Sequence, residues 1–218
     1  MKGLLRDNFY AALSGARAFA AIMTFAGIFA AVMDNRIPSL IIGYMLSVMV
    51  GFSINSAACA GRESSVKWSQ YRLAAPVRRA DIVRSLFLSQ MMWLLVGTAF
   101  AGACAALSVG LHGWPFDKET DVFMLFVVGA SVSLFMSAIF FPLFFLGGEE
   151  RKEVLLMISL FGGIGMVMGL TTLINGFFPA GMTASQIVVS GMAMLLCGIA
   201  LFCLSCPFTV FLFRKKEY

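Results

Sequence analysis

Charge is absent from five long stretches of this chain. Uncharged runs cover 18–33, 37–61, 85–111, 122–148 and 154–213, with lengths of 16, 25, 27, 27 and 60 residues. A bilayer core of ~30 Å needs ~20 apolar residues as helix, so these runs predict membrane spans. The 60-residue run is too long for one span. It is interrupted by Asn175, Gly176, Pro179, Gly181, Thr183, Ser185 and Gln186, a cluster that marks a hairpin between two helices. Six spans are therefore predicted, at about 18–33, 38–60, 84–110, 122–146, 154–174 and 187–211. The first is short and can extend into Arg17, whose long stem can snorkel to the interface.

Residues 1–16 have a different pattern. Leu5, Phe9, Ala12, Leu13 and Ala16 recur at helical spacing, with Lys2, Arg6 and Asp7 largely on another face. This predicts an amphipathic helix in the membrane surface that turns into span 1. The alternative is an extension of span 1 itself, and both place the same face inward. Ahead of span 1 the stretch is long for a signal n-region and contains Asp7, so the N-terminus is expected to be retained.

Composition agrees with the spans. The 218 residues are 60% hydrophobic and 12% charged, against roughly 45–50% and 25% for an average soluble domain. The fold class is thus an all-α polytopic membrane protein, with residues 1–218 as a single transmembrane domain. This excludes a soluble enzyme, a nucleic-acid-binding domain and a secreted disulfide scaffold. The net charge of +5 is then a topology signal. Fourteen of the 16 Lys and Arg residues fall on one side of the six spans, leaving Arg36 and Lys118 on the other. Basic loops stay in the cytoplasm, so both termini are expected there.

The spans carry little chemistry. No Asp, Glu, Lys, Arg or His lies in the middle of one, and intramembrane ionisable groups are what mark proton relays, ion paths and catalysis. The single histidine, His112, falls in an outer loop and is expected to be solvated. Cys203 and Cys206 form a C-x-x-C without a second Cys or His pair nearby, and read as packing residues. No G-x-x-x-x-G-K-[ST] loop is present. Gly165 and Gly169 form a G-x-x-x-G, a face on which another helix can pack closely. No cofactor is expected in this chain, and energy for any work must come from another one.

The stretch 61–83 is the most informative. Ser64 and Ser65 can cap a short helix, on which Trp68, Tyr71 and Ala75 share a face beside Arg72 until Pro76 stops it. Arg78 and Arg79 then lead into span 3. Trp, Tyr and Arg are the favoured anchors of protein interfaces. The same residues also suit a segment resting on headgroups, with arginines on anionic lipid.

The chain resembles the small six-span membrane subunits of bacterial ABC-2-type transporters. The start, Met1 to Phe9, looks like their N-terminal surface helix. Glu63, Trp68, Tyr71, Pro76-Val77, Arg79 and Asp81-Ile82-Val83 are similar to their segment after span 2, although Ala75-Pro76 stands where the family usually has Leu-Pro. The turn from Pro142 through Leu146-Gly-Gly-Glu-Glu-Arg-Lys-Glu153 is also similar. The resemblance implies ABC-2-type exporter topology and a coupling helix in 61–83, with Glu63, Trp68, Tyr71, Arg72, Arg78 and Arg79 as its ATPase-facing residues. It implies separate ATPase subunits that bind ATP and Mg, and a second permease subunit, identical or different.

The expected function is the permease half of an ATP-driven exporter. Its cargo is expected to be apolar or amphipathic, in keeping with 22 Phe and 15 Met. Ser47, Ser53, Asn55, Ser56, Ser131, Ser133 and Ser137 are candidates for lining the pathway, though each can equally make an ordinary interhelical hydrogen bond. The alternative is the six-span substrate-binding subunit of a vitamin importer, which needs a buried polar pocket. An intramembrane enzyme lacks the His and carboxylates it would require.

Overall fold

A computed structural model of the protein describes residues 2–33, 39–59, 79–113, 119–177 and 183–215. Six long helices carry nearly all of them: α1 Lys2–Met33, α2 Ser39–Cys59, α3 Arg79–His112, α4 Glu119–Gly147, α5 Lys152–Phe177 and α6 Ala184–Lys215. A 3-10 turn, Glu149–Arg151, joins α4 to α5. All six helices are long and apolar enough to cross a membrane; five contain a predicted span whole, and α2 matches 38–60 but for its two end residues, which lie outside the described residues.

The difference lies at the start. Residues 2–33 form one unbroken helix of 32 residues, so residues 2–16 extend span 1, the alternative reading of the sequence, instead of turning into it. Between Leu13 and Phe19 there is no proline, and the one glycine, Gly15, weakens a helix without stopping it. The predicted inward face holds: Ala12 and Ala16 are buried, and Phe9 and Leu13 pack against the same core.

Side-chain pairings fix the topology. Asn55 reaches Ala12, and Tyr44 lies over Gly27, so α1 and α2 are antiparallel. Gln90 meets Ser53 and Gly97 meets Met49, so α2 and α3 are antiparallel too. Gly163 lies on Val132 and Met136, and Leu155 lies on Gly147, which makes α4 and α5 antiparallel. Against this, α4 and α6 run parallel: Gly191 faces Phe123, Gly198 faces Leu134, and Phe145 meets Phe213. The helices thus alternate in direction, and Arg84, Arg151 and Lys152 all fall at one end of the bundle, the basic end.

Two helices form the middle. Half of the most apolar stretch of α2 and of α4 is buried, against 17–33% for the other four. α1 and α3 flank α2; α5 and α6 flank α4; α2 and α4 close the seam, aided by Phe87 of α3 against Phe202 of α6. Close approach needs small residues. A Cβ on Gly97 would stand 3.1 Å from the Met49 backbone, and one on Gly163 would stand 2.9 Å from the Met136 nitrogen. The Gly165–Gly169 pair is not used in this way within the chain, since both are exposed with nothing within 4 Å of a Cβ.

The outer surfaces of α1, α5 and α6 are apolar, with Phe25, Phe29, Phe161, Met168, Leu196 and Phe208 all exposed. A membrane helix needs such a surface, because lipid takes the place of water around it.

Candidate functional site

The family resemblance locates function at the join between α2 and α3. Glu63, Trp68, Tyr71, Arg72 and Arg78 lie outside the described residues, while Arg79 is the first residue of α3. Asp81 falls in the first turn of α3, where a carboxylate complements the helix dipole. The structure therefore describes how the segment is anchored at either end.

Both anchors are firm. Cys59 at the end of α2 is buried, as are Ile82 and Val83 in the first turns of α3. Polar side chains then tie the three flanking helices together. Asn8 of α1 donates from Nδ2 to Ser85 Oγ of α3 at 2.9 Å, and Ser85 Oγ donates to the Ile82 carbonyl at 2.7 Å. Asn55 of α2 donates from Nδ2 to the Ala12 carbonyl at 3.3 Å. Gln90 of α3 donates from Nε2 to the Ser53 carbonyl of α2 at 3.2 Å. An amide buried without a partner costs a few kcal/mol, so these bonds resist separation of α1, α2 and α3.

Aromatic rings continue the tie toward the middle. Trp93 of α3 stacks between Phe9 of α1 and Phe52 of α2, at 5.2 and 5.9 Å between centroids. Phe52 also meets Phe19 edge-on at 5.1 Å. A displacement of either anchor would thus pass to both neighbours of α2 at once.

A small cavity lies beside the seam, lined by Asn8, Ala11, Ser56, Cys59, Leu86, Ser89 and Phe141. Its volume of about 10 Å³ is at the lower bound for one water molecule. Nearby, Ser53 Oγ, Gln90 Oε1 and Trp93 Nε1 are buried without a partner.

The other sequence candidates scatter. Ser53, Ser56, Ser131, Ser133 and Ser137 are buried, Asn55 is half-buried, and Ser47 is exposed on α2. Ser133 and Ser137 donate to carbonyls one turn back, Gly129 and Ser133, at 2.9 and 2.7 Å. His112 departs from the loop reading. It is the last residue of α3, and its Nε2 donates to the Val32 carbonyl at 3.3 Å, in the last turn of α1. Among the described residues no group of three or more His, Cys, Asp or Glu is placed to hold a metal ion.

Sequence reasoning missed Asn8, Ser85, Ser89 and Gln90. For Asn8 the signal was available: it sits three residues after Leu5 and four before Ala12, on the apolar stripe itself. Gln90 interrupts an otherwise apolar stretch of span 3, and polar side chains within such helices usually bind a neighbour.

No curated protein and no solved structure matches the chain. A family model described as "ABC-2 family transporter protein" does, over residues 3–214, nearly the whole length that builds the six helices and their shared seam. The chain belongs to the ABC-2 family of transporter membrane proteins, the multi-pass permease subunits that associate with ABC ATPases.

Proposed function

We propose that this permease is one half of an exporter, pairing with a second permease subunit to carry an apolar or amphipathic cargo such as a peptide, lipid or drug-like molecule. Separate ATPases, holding ATP and Mg, bind the basic end. ATP binding draws them together and moves the segment between α2 and α3. The observation that carries this reading is the set of polar ties among α1, α2 and α3 near the basic end. The ends of that segment, at Cys59 and at Ile82-Val83, are buried in a bundle cross-linked by Asn8, Asn55, Ser85 and Gln90. Force applied there moves α1, α2 and α3 together. Ser47, on the exposed face of α2, is the pathway candidate open to a second subunit.

The importer-subunit alternative gains nothing from the described residues. The enclosed cavity beside Asn8 is about 10 Å³, whereas a small-molecule pocket spans roughly 300–1,000 Å³, and the depression of about 370 Å³ lined by Gly3, Leu4, Arg6, Asp7 and Tyr10 lies open at the start of α1, at the basic end.

Two measurements test the proposal. The purified chain should hydrolyse no ATP, and hydrolysis should appear when its ATPase partner copurifies with it. Turnover by the chain demonstrably free of ATPase would refute the division of labour. Orientation is tested separately by an impermeant thiol reagent on intact cells, with single cysteines in a Cys-free background. The expected result is labelling at position 118 and none at position 67, because basic loops stay inside. The reverse pattern would invert the topology.

A further inference from the structure

The small cavity beside Asn8 lies where four helices meet. Asn8 comes from α1, Ser56 and Cys59 from α2, Ser89 from α3 and Phe141 from α4. Three direct ties surround it. Asn8 reaches Ser85, one turn before Ser89. Asn55, next to Ser56, reaches Ala12. Gln90, next to Ser89, reaches Ser53, one turn before Ser56. These side chains ring the cavity and do not fill it.

Its walls are of two kinds. Phe141 is apolar, whereas Ser56 and Ser89 bring hydroxyls that are 8% and 3% exposed. Among the described residues neither hydroxyl bonds another protein atom. Ser85, Ser133, Ser137 and Ser159 differ, each donating to a carbonyl of its own helix. Ser53 Oγ and Ser131 Oγ are also without a partner, but neither residue lines this cavity. A hydroxyl taken out of water without a hydrogen bond is costly, so two of them on one small space call for a shared partner. A space of about 10 Å³ admits one water molecule and nothing larger. None of the described residues that line it is charged, and an ion buried without a counter-charge costs far more than a neutral molecule.

We propose that this cavity is a binding site for one water molecule, which links Ser56 of α2 to Ser89 of α3 and to the Asn8 amide of α1. A buried water makes about three hydrogen bonds. The two hydroxyls and the Asn8 amide oxygen are three groups that can give or take them. Asn8, Asn55 and Gln90 are long enough to cross between helices directly. Ser56 and Ser89 are shorter, and the water makes up the length. Cys59, the last residue of α2, forms part of the same wall, so the water belongs to the anchor from which the connection to α3 departs. The site is independent of cargo, of direction and of any ATPase.

The test is a cryo-electron microscopy map of the full chain in lipid nanodiscs, with whichever subunits copurify, at a resolution that shows ordered waters. One peak should stand roughly 2.5–3.0 Å from both Ser56 Oγ and Ser89 Oγ, and it should vanish when both residues are alanine. No peak in the unmodified protein, or a peak that survives loss of both hydroxyls, would overturn the site. Melting temperatures check it independently. The change caused by Ser89→Ala should shrink by at least half when Ser56→Ala has already released the water. The gain in helix propensity from alanine is the same in both backgrounds and cancels. Ser89→Ala combined with Ser137→Ala is the control, because Ser137 Oγ is bonded within α4, and those two changes should add. Additive changes for Ser56 and Ser89 as well would mean that they share no water.

Discussion

Trp68→Ala is expected to cut recovery of the ATPase in a pull-down by about 30- to 1000-fold in affinity, the worth of a buried aromatic anchor of roughly 2–4 kcal/mol. Membrane insertion should be unchanged, because Trp68 falls between α2 and α3 and outside both. The expectation follows from the family and from Trp68, Tyr71 and Arg72 sharing one short stretch. Trp114→Ala, on the opposite side by the basic-residue count, is the control and should recover the ATPase in full. Samples are compared at equal membrane expression. Equal recovery by Trp68→Ala and wild type, with undiminished transport, would return 61–83 to a segment resting on lipid.

The second large effect lies in the core. Gly163→Val should destabilise the bundle by about 1–3 kcal/mol, the usual cost of forcing extra atoms into a packed core. A Cβ there would stand 2.9 Å from the Met136 nitrogen and 3.0 Å from the Val132 carbonyl oxygen, both backbone atoms of α4. Backbone atoms cannot rotate away, so α5 must retreat from α4. Gly165→Val, two residues on, meets nothing within 4 Å. Both variants change helix propensity by the same amount, so the difference between them isolates packing. Thermal unfolding in nanodiscs should show a clear loss for position 163 and little change for 165. Matched curves would mean that α5 does not meet α4 through Gly163.

These two sites also show what the sequence could and could not tell. All six spans were legible, since a charge-free run of 25 residues has few ways to exist except in a bilayer. Which glycine meets a neighbour was not. The spacing of Gly165 and Gly169 advertises a close-packing face, yet Gly163 makes the contact within the chain. The rotation of a uniformly apolar helix is set by its neighbours, and apolar periodicity carries no record of it. The continuity of α1 stood as one of two readings, because Ser14-Gly15 neither demands nor forbids a bend. The hydrogen bond from Ser205 Oγ to the Ala138 carbonyl joins residues 67 apart and depends on α4 and α6 running parallel in register. Asn8 was legible, because a polar residue on an apolar stripe calls for a partner on a neighbouring helix. The proposed coupling residues from Glu63 to Arg78 were singled out by composition and resemblance, and they fall outside the described residues.

The unequal lengths of α2 and α3 have a mechanical meaning. α2 has 21 residues and α3 has 34. Pairing of Ser53 with Gln90 and of Met49 with Gly97 sets Cys59 level with about residue 85. α3 therefore rises roughly one and a half turns, about 9 Å, beyond the end of α2. A 19-residue connection between Cys59 and Arg79 spans this step. The connection leaves α2 level with about residue 85 of α3 and rejoins the chain at the top of α3. A protein gripping the connection near Arg79 would push on the top of α3 with a lever arm as long as the step.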